Sequence, residues 1–231
     1  MKNVVNILLI FLLADLILTS GCKKKNEEPT TTPITITDID GNIYHTVTIG
    51  TQVWMVENLK VTHYRNGDPI AHITDDTLWM NLTSGAYCNY NNDGVYSSTY
   101  GRLYNWYAIA EASIVSPAGW HIPNDAEWTT LTTYLKGDSV AGGKLKEIDT
   151  THWNTPNTGA TNETRFTALP GGYRHSIDGG FYNVRNSGLW WCSTEDNAGK
   201  AWSRYLGFNS SAVVRSTTFK GIGLSVRCVR D

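Results

Sequence analysis

Four cysteines and six histidines are the side chains of this 231-residue chain best suited to redox, metal or nucleophilic chemistry. Their spacing argues against all three. Cys22, Cys88, Cys192 and Cys228 include no C-x-x-C pair, so neither a zinc ribbon nor a thioredoxin-type site is expected. His45, His63, His72, His121, His152 and His175 are scattered, with no H-E-x-x-H and no paired ligand spacing. Each reads as a hydrogen-bonding or surface histidine. No G-x-S-x-G elbow and no phosphate-binding loop is present. Asp38, Asp40 and Asn42 sit at the first three ligand offsets of an EF-hand loop, but Ile43 holds the sixth position and Ile49 the twelfth. A hairpin turn explains them better. Asn91, Asn92 and Asp93 could offer oxygens to calcium, yet they read as a solvated polar turn, so no metal and no cofactor is expected. Glu111, Asp125, Glu127 and Glu195 are the notable carboxylates. Asp125 and Glu127 suit a helix N-terminus, where negative charge is favourable, and nothing singles out a glycosidase pair. The expectation is a protein that is not an enzyme.

Aromatic side chains are the remaining candidates. Flat indole faces stack on sugar rings, and the chain has nine tryptophans. Trp54, Trp106, Trp120 and Trp128 fall in periodic segments and read as core. Trp79, Trp153 and Trp202 lie in less regular stretches and are the better candidates for exposure.

Composition narrows the compartment and the partners. Charged residues make up only 17% against 11% aromatic, which suits a loop-rich extracytoplasmic β or α+β domain better than a helical one. A formal net charge of −2 makes nucleic acid an unexpected partner. Lys2, an apolar run over residues 4–18 and Thr19-Ser20-Gly21-Cys22 resemble a bacterial lipoprotein signal peptide, residues 1–21, with Cys22 as the lipidated first residue. Asp15 interrupts the run, and Thr19 stands where such signals usually carry Leu. Residues 22–33, with three lysines, two glutamates and two prolines, can bury little and read as a tether. The folded domain is then 34–231. The expected location is the cell envelope, lipid-anchored at the outer membrane or surface of a Gram-negative bacterium, with the membrane as a partner.

Elements that would position these residues follow from periodicity. Period-two alternation on both sides of Asp40-Gly41-Asn42 predicts a hairpin, followed by a strand at 53–56. Leu103, Trp106, Tyr107 and Ala110 recur at helical spacing and predict a first helix over 100–112, after a long polar loop at 89–99. Asn124 with Glu127 forms a capping box for a second helix whose apolar face is Trp128, Leu131, Tyr134 and Leu135, with Gly137 as the stop and a short helical turn near Leu145. Runs at 190–192, 201–208, 212–219 and 224–230 predict a closing antiparallel meander.

Seven motifs in order now identify a resemblance. They are Asp38-x-Asp40-Gly41-Asn42; Ile49-Gly50-x-Gln52-x-Trp54-Met55-x-Glu57-Asn58-Leu59-Lys60; Tyr104-Asn105-Trp106-Tyr107; Gly119-Trp120-His121-Ile122-Pro123-x-Asp125-Ala126-Glu127-Trp128; Ala168-Leu169-Pro170-Gly171-Gly172-Tyr173; Trp190-Trp191-x-Ser193-Thr194-Glu195; and Ser225-Val226-Arg227-Cys228-Val229-Arg230-Asp231. From about residue 36 to 231 the chain resembles the Fibrobacter succinogenes major paralogous domain, a family of secreted and lipid-anchored bacterial proteins common in Bacteroidota, with no established activity. The resemblance implies an α+β, C-type-lectin-like fold, with two main helices packed on small antiparallel sheets and long loops. Relatives of that wider fold include formylglycine-generating oxidases. Those need two cysteines a few positions apart, whereas Cys192 and Cys228 are 36 apart. Family pattern favours a Cys88–Cys228 disulfide, though spacing alone leaves the connectivity of Cys88, Cys192 and Cys228 open. In related lectin-like surface proteins the C-terminal sheet carries the ligand-binding residues. By that resemblance Asn197, Trp202, Arg204, Tyr205, Asn209, Ser211, Arg215 and Thr217 would face a ligand. The function expected is a lipid-anchored module binding a glycan or protein. The alternatives are a structural envelope protein without a specific small ligand, and a polysaccharide-acting hydrolase.

Overall fold

A computed structural model of the chain describes residues 35–111 and 114–231. The signal-peptide, Cys22 and tether readings lie outside the described residues. Among the described residues no helix is long and apolar enough to cross a membrane.

The N-terminal hairpin forms as its alternation predicts. Strand β1 (Thr35–Thr37) pairs antiparallel with β2 (Ile43–Ile49), and β2 with β3 (Gln52–Met55). Asp38 makes the first turn: its Oδ1 accepts from the backbone N–H groups of Asp40 and Asn42, both at 2.9 Å. Its Oδ2 accepts from Asn42 Nδ2 and from the Tyr44 hydroxyl at 2.6 Å. The whole carboxylate is thus spent on the hairpin itself.

Short elements follow: β4 (Ala71–His72), α1 (Asp76–Met80), β5 (Ala86–Cys88), α2 (Gly94–Tyr100), β6 (Leu103–Tyr104), α3 (Trp106–Ala110) and β7 (Trp120–His121). Next come α4 (Asp125–Tyr134) and α5 (Asp138–Leu145), then β8 (Gly171–Arg174) and β9 (Phe181–Val184). The chain ends with β10 (Ser187–Asn197), β11 (Lys200–Gly207), β12 (Val213–Phe219) and β13 (Val229–Arg230). The described strands form sheets ordered β1-β2-β3-β13-β7, β10-β11-β12, β4-β5-β6 and β8-β9.

This architecture corrects the expected α+β, C-type-lectin-like arrangement. Strands dominate, the five α-helices are short, and α4, the longest, has only ten residues, so no two main helices cover the sheets. The helix predicted at 100–112 is the clearest miss. Gly101 breaks the backbone at φ 78°, where a β-carbon would lie 2.6 Å from Asn58 Cβ. Leu103 and Tyr104 then pair as a strand with Cys88 and Tyr87. Only from Asn105, whose side chain caps Ala108 N–H, does the chain turn helical, for five residues. Both residues of β6 are buried, so a short apolar run imitated a helical stripe. The supposed polar loop at 89–99 contains α2, started by the Asp93 cap on Val95.

The second helix starts where the capping box predicts and buries Trp128 and Leu131, but Tyr134, expected on the apolar face, is 62% exposed, and Leu135 is the C-cap. Asn124 Oδ1 accepts from Glu127 N–H at 2.9 Å, and the Glu127 carboxylate accepts from Asn124 N–H at 2.8 Å. The meander is right for three strands and wrong for the fourth. The C-terminal run meets β10 at a parallel bridge between Ser225 and Trp190, and Val229 then pairs with Trp54 and His121 between β3 and β7. The chain end therefore ties the N-terminal sheet to the rest of the fold.

Three apolar clusters form the core: one around Tyr104, Trp106, Trp191 and Cys228, one around Trp54, Trp128, Trp190 and Cys192, and one around Trp79, Tyr90 and Cys88. Each described cysteine thus sits in a different cluster, and all three are free thiols. The expected Cys88–Cys228 disulfide is not formed. Burial pushes Cys88 and Cys192 up to about 12, which leaves them protonated and unreactive at neutral pH.

Candidate functional site

The eight residues expected to face a ligand do not share one surface. Along a strand, side chains alternate between faces. The register pairs Trp202 with Thr217 and Arg204 with Arg215, so these four share the face that packs toward α4 and α5. Tyr205, paired with Val214 and Leu189, lies on the opposite face. Asn197 closes the β10–β11 turn, where its Oδ1 accepts from Gly199 and Lys200 N–H. Asn209 and Ser211 lie in the β11–β12 turn, and the Ser211 hydroxyl donates to Ser139 O at 3.1 Å.

Arg204 is not a surface residue. It is 1% exposed, with Nη1 donating to Asp125 Oδ1 at 2.9 Å and Nη2 to Asp125 O at 3.0 Å. The same Asp125 carboxylate accepts from Arg215 Nε at 2.9 Å and Nη2 at 2.8 Å. Arg215 is exposed, and its guanidinium lies 3.4 Å above the centre of the half-buried Trp202 ring. One carboxylate therefore bridges a buried and an exposed arginine, and the exposed one is clamped flat on an indole. Burial disfavours the charge on Asp125, but the Arg215 and Arg204 hydrogen bonds outweigh it and hold the carboxyl below its ordinary value. Asp125 opens α4, and its own N–H donates to Thr194 Oγ1, which fixes the helix start against β10. One ladder step on, the Lys200 ammonium lies 4.8 Å from the Phe219 ring, and Phe219 is 53% exposed.

This platform sets a cation over each of two aromatic rings, Arg215 over Trp202 and Lys200 over Phe219. The sequence pointed to Trp202, Arg215 and Thr217 but missed Asp125 as their organiser, because a carboxylate in the first helical turn already had a local explanation. It also missed Phe219 and Lys200, whose alternation with Trp202 and Thr217 was the available signal. Trp79 and Trp153, expected to be exposed, are fully buried.

A depression of about 350 Å³ is lined by Arg65, Glu111, Trp120, His121, Ser193 and Asp231. His121 holds Asp231 at 2.6 Å through Nδ1 and Glu127 at 2.8 Å through Nε2. Both ring nitrogens are engaged by carboxylates. Four more histidines also hold carboxylates: His45 with Glu57, His63 with Asp40, His152 with Glu147 and His175 with Asp178. Asn92 and Asp93 likewise serve the backbone, donating to Thr74 O and capping Val95. Among the described residues no group of three His, Cys, Asp or Glu could hold a metal ion.

The chain matches no curated protein and no solved structure. Residues 47–230 match the Fibrobacter succinogenes major domain, from the second strand of the N-terminal hairpin through the C-terminal strand. The chain belongs to the Fibrobacter succinogenes major domain family.

Proposed function

We propose that this protein is a binding module of the cell envelope, anchored to the outer membrane through acyl chains on Cys22, which takes a glycan or protein ligand on its C-terminal sheet. The observation that supports this reading is the Trp202–Arg215–Asp125–Arg204 unit. Arg side chains carry large rotamer entropy, and a surface Arg held in one geometry has given up that freedom before a ligand arrives. Aromatic and Arg side chains dominate binding hot spots, and an exposed face of this kind suits a polymer better than a small molecule, which needs an enclosing pocket. The role is binding rather than turnover.

Protein spanning residues 33–231 is screened against plant, microbial and host glycans and host surface proteins, with and without calcium. The expected result is a specific hit whose affinity falls at least about tenfold in Trp202→Ala and in Arg215→Ala, since each removes a hot-spot side chain. A hit unaffected by both changes, or no hit from folded protein, contradicts the assignment. Arg204→Ala is no test of recognition, because Arg204 is buried and its loss acts on the fold. For the anchor, Cys22→Ser is expected to move the full chain from the membrane to the soluble fraction.

A further inference from the structure

The sheet that carries the platform ends in a bare edge. Its order is β10-β11-β12, and no other described strand pairs with the outer side of β12. Lys220 N–H donates to Gly199 O at 3.0 Å, which fixes the parity of the ladder. Bonded and non-bonded pairs alternate in an antiparallel ladder. Val214, Ser216 and Thr218 therefore turn their backbone groups toward β11, and Val213, Arg215, Thr217 and Phe219 turn theirs outward. Exposed edges are usually blunted by Lys, Pro, a bulge or a covering segment. Strand β12 reads Val-Val-Arg-Ser-Thr-Thr-Phe, pairs with β11 without a register break, and has as its sole charge Arg215, whose side chain is drawn back over Trp202 to the Asp125 carboxylate that it shares with Arg204. Val214 and Phe219 stand 46% and 53% exposed on either side.

We propose that β12 pairs antiparallel with β12 of a second copy of this chain, about a two-fold axis at Ser216. Ser216 is the midpoint of the strand, so this register overlaps all seven residues. It also sets outward-bonding residues against outward-bonding residues: Arg215 opposite Thr217 of the second copy, and Val213 opposite Phe219. A shift of one residue would set outward groups against inward ones and lose the bonds. Centring on Arg215 would oppose two like charges, which is unfavourable. The two-fold makes the contact isologous, so assembly closes at two copies. Because the axis is perpendicular to the sheet, both platforms face the same side of one six-stranded surface. The pairing stands independently of the ligand, and its consequence would be bivalent binding to a repeating polymer.

Sedimentation equilibrium of residues 33–231 without ligand, from micromolar to millimolar concentration, is expected to show reversible dimers. Ser216→Lys places two cations opposite each other at an exposed site and is expected to weaken dimerisation about two- to fivefold. Ser216→Cys supplies the register test. At a non-hydrogen-bonded pair the two α-carbons lie about 4.5 Å apart, within disulfide reach. Under copper phenanthroline it is expected to form a linked dimer faster than Val214→Cys, whose opposite residue is Thr218. The three native thiols are fully buried and do not compete. Monomers at every concentration, dimers unaffected by Ser216→Lys, or equal cross-linking of the two cysteine variants would each overturn the proposal.

Discussion

Lys146 and Arg215 are both cations that serve the C-terminal sheet, and they are held in opposite ways. Lys146 is 0% exposed, and its ammonium donates to three backbone carbonyls, Thr158 O at 3.0 Å, Gly207 O at 3.1 Å and Ser210 O at 2.8 Å. Among the described residues no carboxylate pairs with it, and burial pushes it down to about 8. It joins the loop after α5 to the β11–β12 turn. Arg215 spends its fork on a side-chain carboxylate, lies on an indole and keeps its outer face in water. A cation caged by carbonyls from distant loops is architecture. A cation clamped at the surface by another side chain is fixed in place while remaining free to meet a ligand. Arg174, Arg204 and Arg227 belong with Lys146 by burial. Arg227 donates to Asn58 Oδ1 and Phe166 O and is pushed down to about 9 by burial, while Arg174 donates to Ile73, Thr74 and Gly179 carbonyls between Trp79 and Phe181.

Replacing the architectural cations should have the largest effects. Arg204→Met removes the buried donor to the Asp125 carboxylate and carbonyl while Arg215 still holds the carboxylate, and lost hydrogen bonds to a charged group cost about 1.5–3 kcal/mol. Urea unfolding is expected to show that loss. Lys146→Met leaves three carbonyls without a donor, which we expect to cost about 2–3 kcal/mol even though the variant no longer buries a charge. If either variant unfolds like the wild type, the division between architecture and recognition fails. Arg215→Ala is expected to change stability by less than about 1 kcal/mol, as for other exposed pairs, while ligand affinity falls at least about tenfold.

The smallest effects are those of pH. Asp125 has a lowered folded-state value, so its contribution is complete above the unfolded value of about 3.9 and is lost as pH falls through the folded one. Asp125→Asn should flatten that acid limb of a stability profile. His121 moves the other way. Burial lowers its value, but the Asp231 and Glu127 hydrogen bonds raise it more. Its contribution is complete below the unfolded value of about 6.5 and fades as pH rises through the folded one. His121→Gln should remove that slope and leave the acid limb unchanged.

The hairpin at Asp38, the α4 capping box and the three-stranded part of the meander were legible because each is encoded locally, by alternation or by a cap within a few residues. The helix at 100–112 misled because Leu103 and Tyr104 are buried in a strand two residues long, too short for any period to declare itself. The departure of β13 was invisible for a different reason. Its partners, Trp54 and His121, lie more than a hundred residues away, and nothing within 224–230 distinguishes them from β11. On the C-terminal sheet, Trp202 and Arg215 do share one face with Arg215 exposed, whereas the buried Arg204 looked like another exposed residue of an alternating strand. What joins the two arginines is Asp125, about 80–90 positions earlier, and what separates them is burial, which the strand pattern does not reveal.

The central claim is that Arg215, clamped on Trp202, is there to bind. Calorimetric titration of wild type and Arg215→Ala with the strongest ligand from the screen tests it, with unfolding curves taken on the same samples. The account predicts affinity at least about tenfold weaker in the variant and superimposable unfolding. Equal affinity with a stability loss as large as that of Arg204→Met would contradict it and make Arg215 one more structural cation.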